Sequence, residues 1–394
     1  MTILAAIVLL VASIGLAQGA AGLWALGRFR ARMPAPAPRV LPGVTVLKPL
    51  YGDEALLEAA LASNFRQSYP VFQLVFGVKS PDDAALAVVA RLRARFPEVD
   101  VAVVVCPDEH GVNRKIGNLI NMLPAAKHDV LVIADSDVHV APTYLTRLVA
   151  CLALPQVGLA TTLYTGLAAS RTIIARLGAT AISHGFLPGA LMARELGRQD
   201  CLGATMALRR DTLGKIGGLR ALVDHLADDY MLGQLVLAHG LRVHLADAVV
   251  ATTVPETRFG QLFRHELRWA RTIRAVEPIG FAASAVQYPL AWAALAMALS
   301  GGALWAVAGF GVAWLGRALI ARGLDARLGL AKSALATPAP LWLLPLRDLM
   351  SILIMLASVG SDRVEWRGTE MHADHAELPT NDDPTARASA PQRT

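Results

Sequence analysis

The chain has few charged residues and few cysteines for its length. Charged side chains make up 17% of the 394 residues, and the three cysteines, Cys106, Cys151 and Cys201, form no CxxC pair. A soluble enzyme of ordinary composition has about a quarter charged residues, and a disulfide-stapled domain uses an even set of cysteines. The composition argues against both classes. No nucleic-acid-binding motif occurs despite a net charge of +6, so we expect no nucleic-acid partner.

The apolar residues are concentrated near the two ends of the chain. The mean hydropathy is +0.45, and the excess lies in residues 3–27 and 281–360. The first segment is long enough to cross a bilayer. Positive charge follows it rather than precedes it, which favours an uncleaved anchor over a signal peptide. We therefore predict an anchor at residues 1–32 and, from the positive-inside bias, a cytoplasmic middle domain.

The first part of the C-terminal apolar region is divided by Pro289 and by the Gly301–Gly302 pair. This punctuation predicts a helical hairpin over about residues 281–299 and 302–320. The basic residues that follow are Arg317, Arg322, Arg327 and Lys332. They predict a loop that has returned to the cytoplasmic side.

The last apolar stretch, residues 340–360, is interrupted by Arg347 and Asp348. Charges at mid-membrane are costly. From the residues alone, the stretch either spans the membrane or re-enters it. Residues 369–394 are polar, and we predict a disordered tail there.

The middle region, residues 40–275, alternates apolar strand patterns with helical periodicity. The strand patterns lie at 43–50, 72–78, 99–105 and 130–134, and the helical patterns at 54–65, 83–96 and 114–126. Such alternation predicts βαβ units and a parallel sheet covered on both faces. Open α/β sheets bind ligands at the carboxyl ends of their strands, so we expect a site after the fourth strand.

The fourth strand is followed by the triplet Asp135-Ser136-Asp137. In extended backbone, residues two apart point to the same side, so two carboxylates should converge. Their repulsion would raise one pKa unless a divalent cation binds between them. Oxygen ligands suit Mg²⁺ or Mn²⁺, and Mg²⁺ commonly combines one or two carboxylates with substrate phosphates. The alternative is an ordinary polar loop or helix cap.

Two further segments carry candidate site residues. Lys115 and Asn118 share one face of the predicted helix at 114–126, which alone is typical of a solvated helix surface. Asp228 and Asp229 precede an apolar helical run. They would serve either as an N-cap or as a carboxylate base.

The segment 257–275 predicts a basic amphipathic helix, with Arg264, Arg268 and Arg271 on one face. Such a helix binds an anionic lipid surface. Arginine also binds diphosphates through two parallel hydrogen bonds, so both interpretations stay open.

Taken in chain order, the motifs are VLKPL, an Asp pair after the second strand, NRKIGNL, DSD, GAT, ADDY and RW. This order resembles the membrane glycosyltransferases of the GT-A fold in the ceramide glucosyltransferase-like group, families 21 and 2. The resemblance covers residues 40–275, the anchor and the C-terminal helices. HGFLPGAL and FRHELRWARTIRAVEP are most similar to the hopanoid biosynthesis-associated glycosyltransferases.

The resemblance implies a bacterial inner-membrane enzyme with an α/β GT-A domain. Hopanoid-associated members are thought to move N-acetylglucosamine from UDP-N-acetylglucosamine onto bacteriohopanetetrol. Ceramide glucosyltransferases instead use UDP-glucose and ceramide. In both, one displacement without an enzyme nucleophile turns an α-linked UDP-sugar into a β-glycoside.

The resemblance also implies residues for the donor and the metal. It places Asp82 or Asp83, with Asp82 favoured, near the uracil, and Lys115 and Asn118 at the nucleotide. The DSD motif would bind a divalent metal, Mg²⁺ or Mn²⁺, with Asp135 also close to the donor. Animal ceramide enzymes tend to have DSG here, so the second carboxylate argues against a strict ceramide match.

For catalysis, the resemblance makes Asp229 the base, with Asp228 beside it. Arg268 and Trp269 match the end of a (Gln/Arg)xxArgTrp motif. His265 stands where Gln or Arg is usual, which leaves the role of this position open.

Two other classes of function stay open. Polysaccharide synthases also use DxD and Arg–Trp motifs, although they usually have more spanning helices and a longer Gln-rich motif. A lipid transporter with an appended α/β domain is a second alternative, against which the lack of internal inverted repeats counts.

Overall fold

A mixed sheet of eight strands forms the middle of the protein. The computed structural model describes residues 2–330, 337–361, 363–366 and 369–372. The first four strands are β1 (Val44–Pro49), β2 (Phe72–Val78), β3 (Asp100–Val105) and β4 (Val130–Ala134). They are parallel, in the order β3-β2-β1-β4. The helices that connect them are α2 (Leu57–Phe65), α3 (Ala85–Arg95) and α4 (Arg114–Met122). The predicted βαβ units are confirmed for this half.

The second half of the sheet departs from the predicted parallel arrangement. Its strands are β5 (Val138–His139), β6 (Val157–Ala168), β7 (Thr205–Arg209) and β8 (Arg242–Val254). Strand β7 is antiparallel to both β4 and β6, β8 is parallel to β6, and β5 is antiparallel to β8. The prediction of a wholly parallel sheet is therefore wrong here, because the βα alternation on which it rested ends with β4.

The helices of this half lie between and beside its strands. They are α5 (Tyr144–Leu152), α6 (Ile173–Ala181), α7 (Leu187–Glu195), α8 (Arg210–Lys215), α9 (Asp228–Ala238) and α10 (Phe259–Val276). A π-helical turn, Ile182–Phe186, joins α6 to α7.

Apolar layers cover both faces of the sheet, as predicted. Neighbouring residues along a strand point to opposite faces. Val46 and Phe76 therefore contribute to one buried cluster, and Leu47 and Ile133 to the other. Lys48, the next residue of β1, is fully buried although it carries an amine.

Three described helices are long and apolar enough to cross a membrane, by length and composition: Thr2–Ala31, Leu304–Leu328 and Leu341–Ser358. The first, α1, is the predicted anchor. It does not stand alone, because it packs against α7 and against α12 (Pro289–Leu299) and α13 (Leu304–Leu328).

The predicted hairpin needs two corrections. Its first arm is not one helix, since α11 (Pro278–Ala283), a short 3-10 turn and α12 form a pair bent by 69°. Pro289 begins α12, and a proline cannot continue the preceding helix because it lacks an N–H. The second arm, α13, runs to Leu328, so Arg317, Arg322 and Arg327 lie within a helix rather than in a loop.

The last apolar stretch contains a 3-10 turn, Leu341–Leu343, and α14 (Leu344–Ser358). Arg347 and Asp348 are 3% and 1% exposed, so both face protein rather than lipid. Asp348 accepts a hydrogen bond from the backbone N of Leu290 at 3.1 Å and lies 3.7 Å from Arg317 Nε. Paired in this way, the charges do not prevent the stretch from spanning the membrane.

The chain after α14 forms a two-stranded antiparallel sheet of β9 (Arg363–Trp366) and β10 (Thr369–His372). The predicted disordered tail therefore starts too early, since its first four residues are a strand. Backbone pairing, which a polar composition does not reveal, accounts for the difference. The rest of that tail, residues 373–394, lies outside the described residues.

Candidate functional site

The DSD triplet forms a tight turn at the carboxyl end of β4. The backbone N of Val138 donates to Asp135 O at 3.3 Å. The expected extended geometry is therefore wrong, and the turn, not the pleat of a strand, brings the two carboxylates near each other. Thr252 Oγ1 donates to Asp137 Oδ2 at 2.5 Å. Burial, and after it the charge of Asp135, nevertheless raise the pKa of Asp137 to about 6.

Lys115 joins this turn to helix α9. Its Nζ lies 2.8 Å from Asp135 Oδ1 and 3.2 Å from Asp228 Oδ2, and the side chain is 13% exposed. Burial lowers the pKa of Lys115, but the charges of Asp135 and Asp228 together raise it above its ordinary value. The interpretation of a solvated helix surface is therefore wrong for Lys115. Asn118, on the same helix, donates through Nδ2 to Gly77 O at 2.8 Å.

Asp228 and Asp229 occupy the first turn of α9, and the N-cap is Ala227, which makes no side-chain capping bond. The cap interpretation is therefore wrong. Asp229 Oδ1 accepts from the backbone N of Tyr230 at 2.8 Å. Burial, followed by the charge of Asp228, raises the pKa of Asp229 above its ordinary value, although Lys115 opposes this. A carboxylate with a raised pKa beside a cation is typical of catalytic sites.

Lys48 is a member of this cluster that the sequence analysis missed. Its Nζ donates to Asp135 O at 2.8 Å. Burial lowers the pKa of Lys48 to about 8, although the charges of Asp137 and Asp135 raise it. Glu54 adds another carboxylate and accepts a hydrogen bond from the hydroxyl of Ser136. A lysine inside an apolar strand, VTVLKP, was the available signal.

The structure distinguishes the two acidic residues that follow β2. Asp83 Oδ1 accepts from the backbone N of Gly52 and of Ala85, both at 2.9 Å. The Asp83 carboxylate therefore holds a loop in place. Asp82 is exposed, and its contact with the uracil stays a prediction.

Helix α10 carries the His265–Trp269 segment. His265 Nδ1 lies 2.5 Å from Glu256 Oε1, and the His265 ring meets Trp269 edge-on with centroids 4.6 Å apart. Burial raises the pKa of Glu256, but the hydrogen bond to His265 and the charges of His265 and Arg268 lower it below its ordinary value. Arg268 is thus near Glu256, whereas Arg264 is exposed.

An aromatic cluster connects α10 with the carboxylates. Trp269, Tyr164 and Phe186 pack around the same small apolar core, and the rings of Tyr164 and Phe186 stack with centroids 4.6 Å apart. Burial, followed by the charges of Asp229, Asp135 and Asp137, raises the pKa of Tyr164. Tyr164 is therefore close to both carboxylate groups. No sequence pattern pointed to it.

The donor set of the DSD turn fits a divalent cation. Among the described residues, no group of three or more His, Cys, Asp or Glu side chains is placed to hold a metal. A cation here would rest on the carboxylates of Asp135 and Asp137, and substrate phosphates would complete its shell, as Mg²⁺ commonly requires. Burial is the main cause of the raised pKa of Asp137, and the charges of Asp135 and Glu54 raise it further by more than Lys48 lowers it.

The fold has a counterpart among solved structures. A mannosyltransferase from Pyrobaculum calidifontis, in complex with GDP-Man and Mn2+, aligns with a TM-score of 0.50 and 20% identity, over 91% of this chain and 99% of that one. The chain thus has the GT-A-like fold that the resemblance implied, here with a mixed sheet. The model of glycosyl transferase family 21 matches residues 7–378, and the chain belongs to this family.

Curated relatives resemble part of this chain. Ceramide glucosyltransferase 1 of Caenorhabditis elegans is 25% identical over 60% of this chain and 51% of its own length. An N-acetylglucosaminyltransferase of Rhizobium meliloti is 27% identical over 59% and 56%. The ceramide glucosyltransferase of Komagataella phaffii is 35% identical over 32% and 25%. The chain therefore spans about half, or less, of the length of these curated relatives.

Gly203 provides a test of the position of Asp229. A Cβ added at Gly203 would lie 2.7 Å from Asp229 Oδ2, so Gly203→Ala should displace that carboxylate. We expect the glycosyl-transfer rate to fall by roughly ten- to a hundred-fold, because small displacements at a reacting centre are costly. The rate and the thermal midpoint of unfolding should be measured together. Gly214→Ala, where an added Cβ meets nothing within 4 Å, is the matched control. Equal transfer rates for the two variants would show that the position of Asp229 does not matter for transfer.

Proposed function

We propose that the protein is an inverting glycosyltransferase that transfers a sugar from a UDP-sugar to a hydroxyl group of a membrane lipid. The observation that carries the proposal is the bridge from Asp135 through Lys115 to Asp228. It joins the turn that would bind a cation and the donor diphosphate to the carboxylate pair Asp228 and Asp229. Both lie at the same edge of the sheet. Membership of family 21 supports this reading.

The donor would be held by the DSD turn and the residues around it. Asp135 and Asp137 would hold a divalent cation, Mg²⁺ or Mn²⁺, which when bound neutralises charge on the diphosphate. The solved mannosyltransferase of similar fold contains Mn2+ and a nucleotide sugar. Lys115 and Asn118 would contact the nucleotide, and Asp82 the uracil.

Helix α10 would complete the site from the other side. Arg264 and Arg268 are suited to the negative charge that develops on the leaving UDP. Trp269, packed beside Tyr164, would limit the access of water. His265, held at Nδ1 by Glu256, would present its other ring nitrogen to the donor.

Asp229 would act as the general base. It would accept the proton of the lipid hydroxyl while the oxygen attacks the anomeric carbon, and UDP would leave from the opposite face. Asp228 would support it by keeping Lys115 in place. A single displacement of this kind converts an α-linked donor into a β-glycoside.

For the substrates, we propose N-acetylglucosamine from UDP-N-acetylglucosamine and bacteriohopanetetrol as the acceptor. The support is the sequence resemblance of HGFLPGAL and FRHELRWARTIRAVEP, together with the N-acetylglucosaminyltransferase among the relatives. The second candidate is a ceramide glucosyltransferase that makes glucosylceramide from UDP-glucose. Several curated relatives with that name favour it. The spanning helices suit either lipid, because neither acceptor leaves the bilayer.

A transfer assay separates these candidates. Purified protein in lipid nanodiscs should be given UDP-N-acetylglucosamine or UDP-glucose with bacteriohopanetetrol or ceramide, and the products read by mass spectrometry. We expect one N-acetylglucosamine on bacteriohopanetetrol, and loss of product in EDTA and with Asp137→Ala. Glucosylceramide would select the second candidate, a polymer would indicate a polysaccharide synthase, and no sugar product on any lipid would refute the proposal.

The base is tested by Asp229→Asn. Asn cannot take a proton, so the rate should fall by about 10²–10⁴-fold while the fold and UDP binding are kept. Asp228→Asn should have a milder effect, since it removes an ion pair and not the base. If Asp228→Asn is inactive while Asp229→Asn keeps turnover, the assignment of the two residues is reversed.

The pH dependence of the transfer rate gives an independent test of Asp229 as the base. The base must be ionised, so kcat/KM should fall as the pH drops through the pKa of Asp229. Because burial and Asp228 raise that pKa, the acidic limb should lie above the ordinary Asp value of about 3.9. An acidic limb at or below that value would contradict the role of Asp229.

We place the catalytic domain on the cytoplasmic side of a bacterial inner membrane, because arginines follow the apolar part of α1. A cysteine introduced at exposed Asp53, in a Cys106→Ser background, should resist an impermeant thiol reagent in intact cells and react after permeabilisation. Cys151 and Cys201 are buried and should not interfere. Labelling in intact cells would reverse the topology.

A further inference from the structure

A buried ion pair connects α10, which carries His265 and Trp269, to the last membrane helix, α14. Arg347 Nη1 and Nη2 lie 2.7 Å from Glu266 Oε1 and Oε2, a parallel two-bond arrangement. The side chains of Arg347 and Glu266 are 3% and 12% exposed. The pair is therefore a desolvated contact rather than a surface salt bridge.

The ion pair lies within an otherwise apolar contact. On α10, Leu262 and Ala270 are one helical turn before and after Glu266, and both are buried. They share a cluster with the residues that flank Arg347, namely Leu343, Met350 and Ile354. Spacings of three or four residues place these side chains on one face of α10 and on one face of the stretch from Leu343 to Ile354. Glu266 and Arg347 therefore lie at the middle of the two facing stripes.

Arg347 is itself fixed by other contacts. Its Nη2 donates to Ser351 Oγ at 3.0 Å, and its Nη1 donates to Leu177 O of α6 at 3.4 Å. The neighbouring Asp348 accepts from Leu290 N at the start of α12. The guanidinium group thus has a defined position relative to both the membrane helices and the α/β domain.

A pair of this kind contributes more to register than to stability. Replacing a buried ion pair with apolar residues of similar volume is often neutral for folding, whereas removing one partner is strongly destabilising. A purely apolar stripe would allow α10 to rotate or slide along α14. The planar guanidinium donates two parallel hydrogen bonds to the carboxylate in one orientation only, so a shift of one turn, about 5.4 Å, breaks both bonds.

We infer that Glu266 and Arg347 are positioning residues that fix the rotation of α10, and so hold His265 and Trp269 in the site. The inference rests on the proposed function, since it assigns that helix to the donor site. It makes a membrane helix part of the catalytic framework. Glu266 and Arg347 do not themselves contact substrate in this scheme.

The discriminating variant replaces both charges, Glu266→Leu with Arg347→Met. We expect a thermal midpoint of unfolding close to that of the wild type in nanodiscs. The kcat for transfer should fall at least tenfold, with a smaller change in the KM for the UDP-sugar. Wild-type kcat in the folded double variant would overturn the inference.

A distance measurement keeps the test independent of activity. Spin labels at exposed Gln261 on α10 and exposed Arg93 on α3, in a Cys106→Ser background, should give a narrow distance distribution by pulsed electron paramagnetic resonance. The double variant should broaden or shift it. If the wild type transfers no sugar to any lipid, the proposed function fails, yet the distances still decide whether the pair fixes α10. An unchanged distribution refutes the inference.

Conservative variants cover the case in which the double variant does not fold. Glu266→Gln keeps the shape but removes the charge, and Glu266→Asp keeps the charge but shortens the reach. Both should remain folded in nanodiscs, Glu266→Gln with a lowered thermal midpoint because it leaves the Arg347 charge unpaired. Both should lower kcat and broaden the distance distribution, with Glu266→Asp the milder. If Glu266→Gln matches the wild type in both measurements, Glu266 does not position α10.

Discussion

Buried negative charge at the carboxyl edge of the sheet is the constraint on which the rest of the site depends. Asp228 is buried, and Asp137 and Asp229 are partly buried, beside Asp135, and like charges in such a place repel. Lys48 and Lys115 offset part of this charge from two different elements, β1 and α4. The remaining excess is what makes the place suited to a cation and to a proton acceptor. The same excess of negative charge thus underlies both the proposed cation site and the proposed general base.

Burial also constrains the charges on the membrane side of the protein, but there no excess of one sign remains among the pairs described. There the charged groups have partners: Arg347 pairs with Glu266, and Asp325 Oδ1 lies 2.6 Å from His184 Nε2. Charges that a bilayer would exclude are retained because each finds a partner between helices. Paired charges join elements of the fold, whereas the cluster at the sheet edge keeps an excess of negative charge.

The sequence could predict what local periodicity and motif order determine. Strands β2 and β4 and the anchor follow from continuous apolar runs, and the family follows from the ordered motifs. The antiparallel second half of the sheet could not be predicted, since strand pairing depends on contacts distant along the chain. Lys48 and Tyr164 were missed for the same reason, because each joins the site through residues far away in sequence. At helix α9, by contrast, a local rule misled the prediction. It suggested Asp228 or Asp229 as the N-cap, but the N-cap is Ala227.

The packing of α1 against α12 and α13 has a consequence for how the protein is made. Helix α1 leaves the ribosome before the α/β domain, and α12 and α13 follow only after that domain has been synthesised. At usual elongation rates, that interval is roughly 10 to 50 seconds. During this time the glycine-bearing face of α1, where Gly15 later meets Val286, is open to lipid or to other membrane proteins. The contacts between α1 and the later helices α12 and α13 therefore form only around a domain that has already had time to fold.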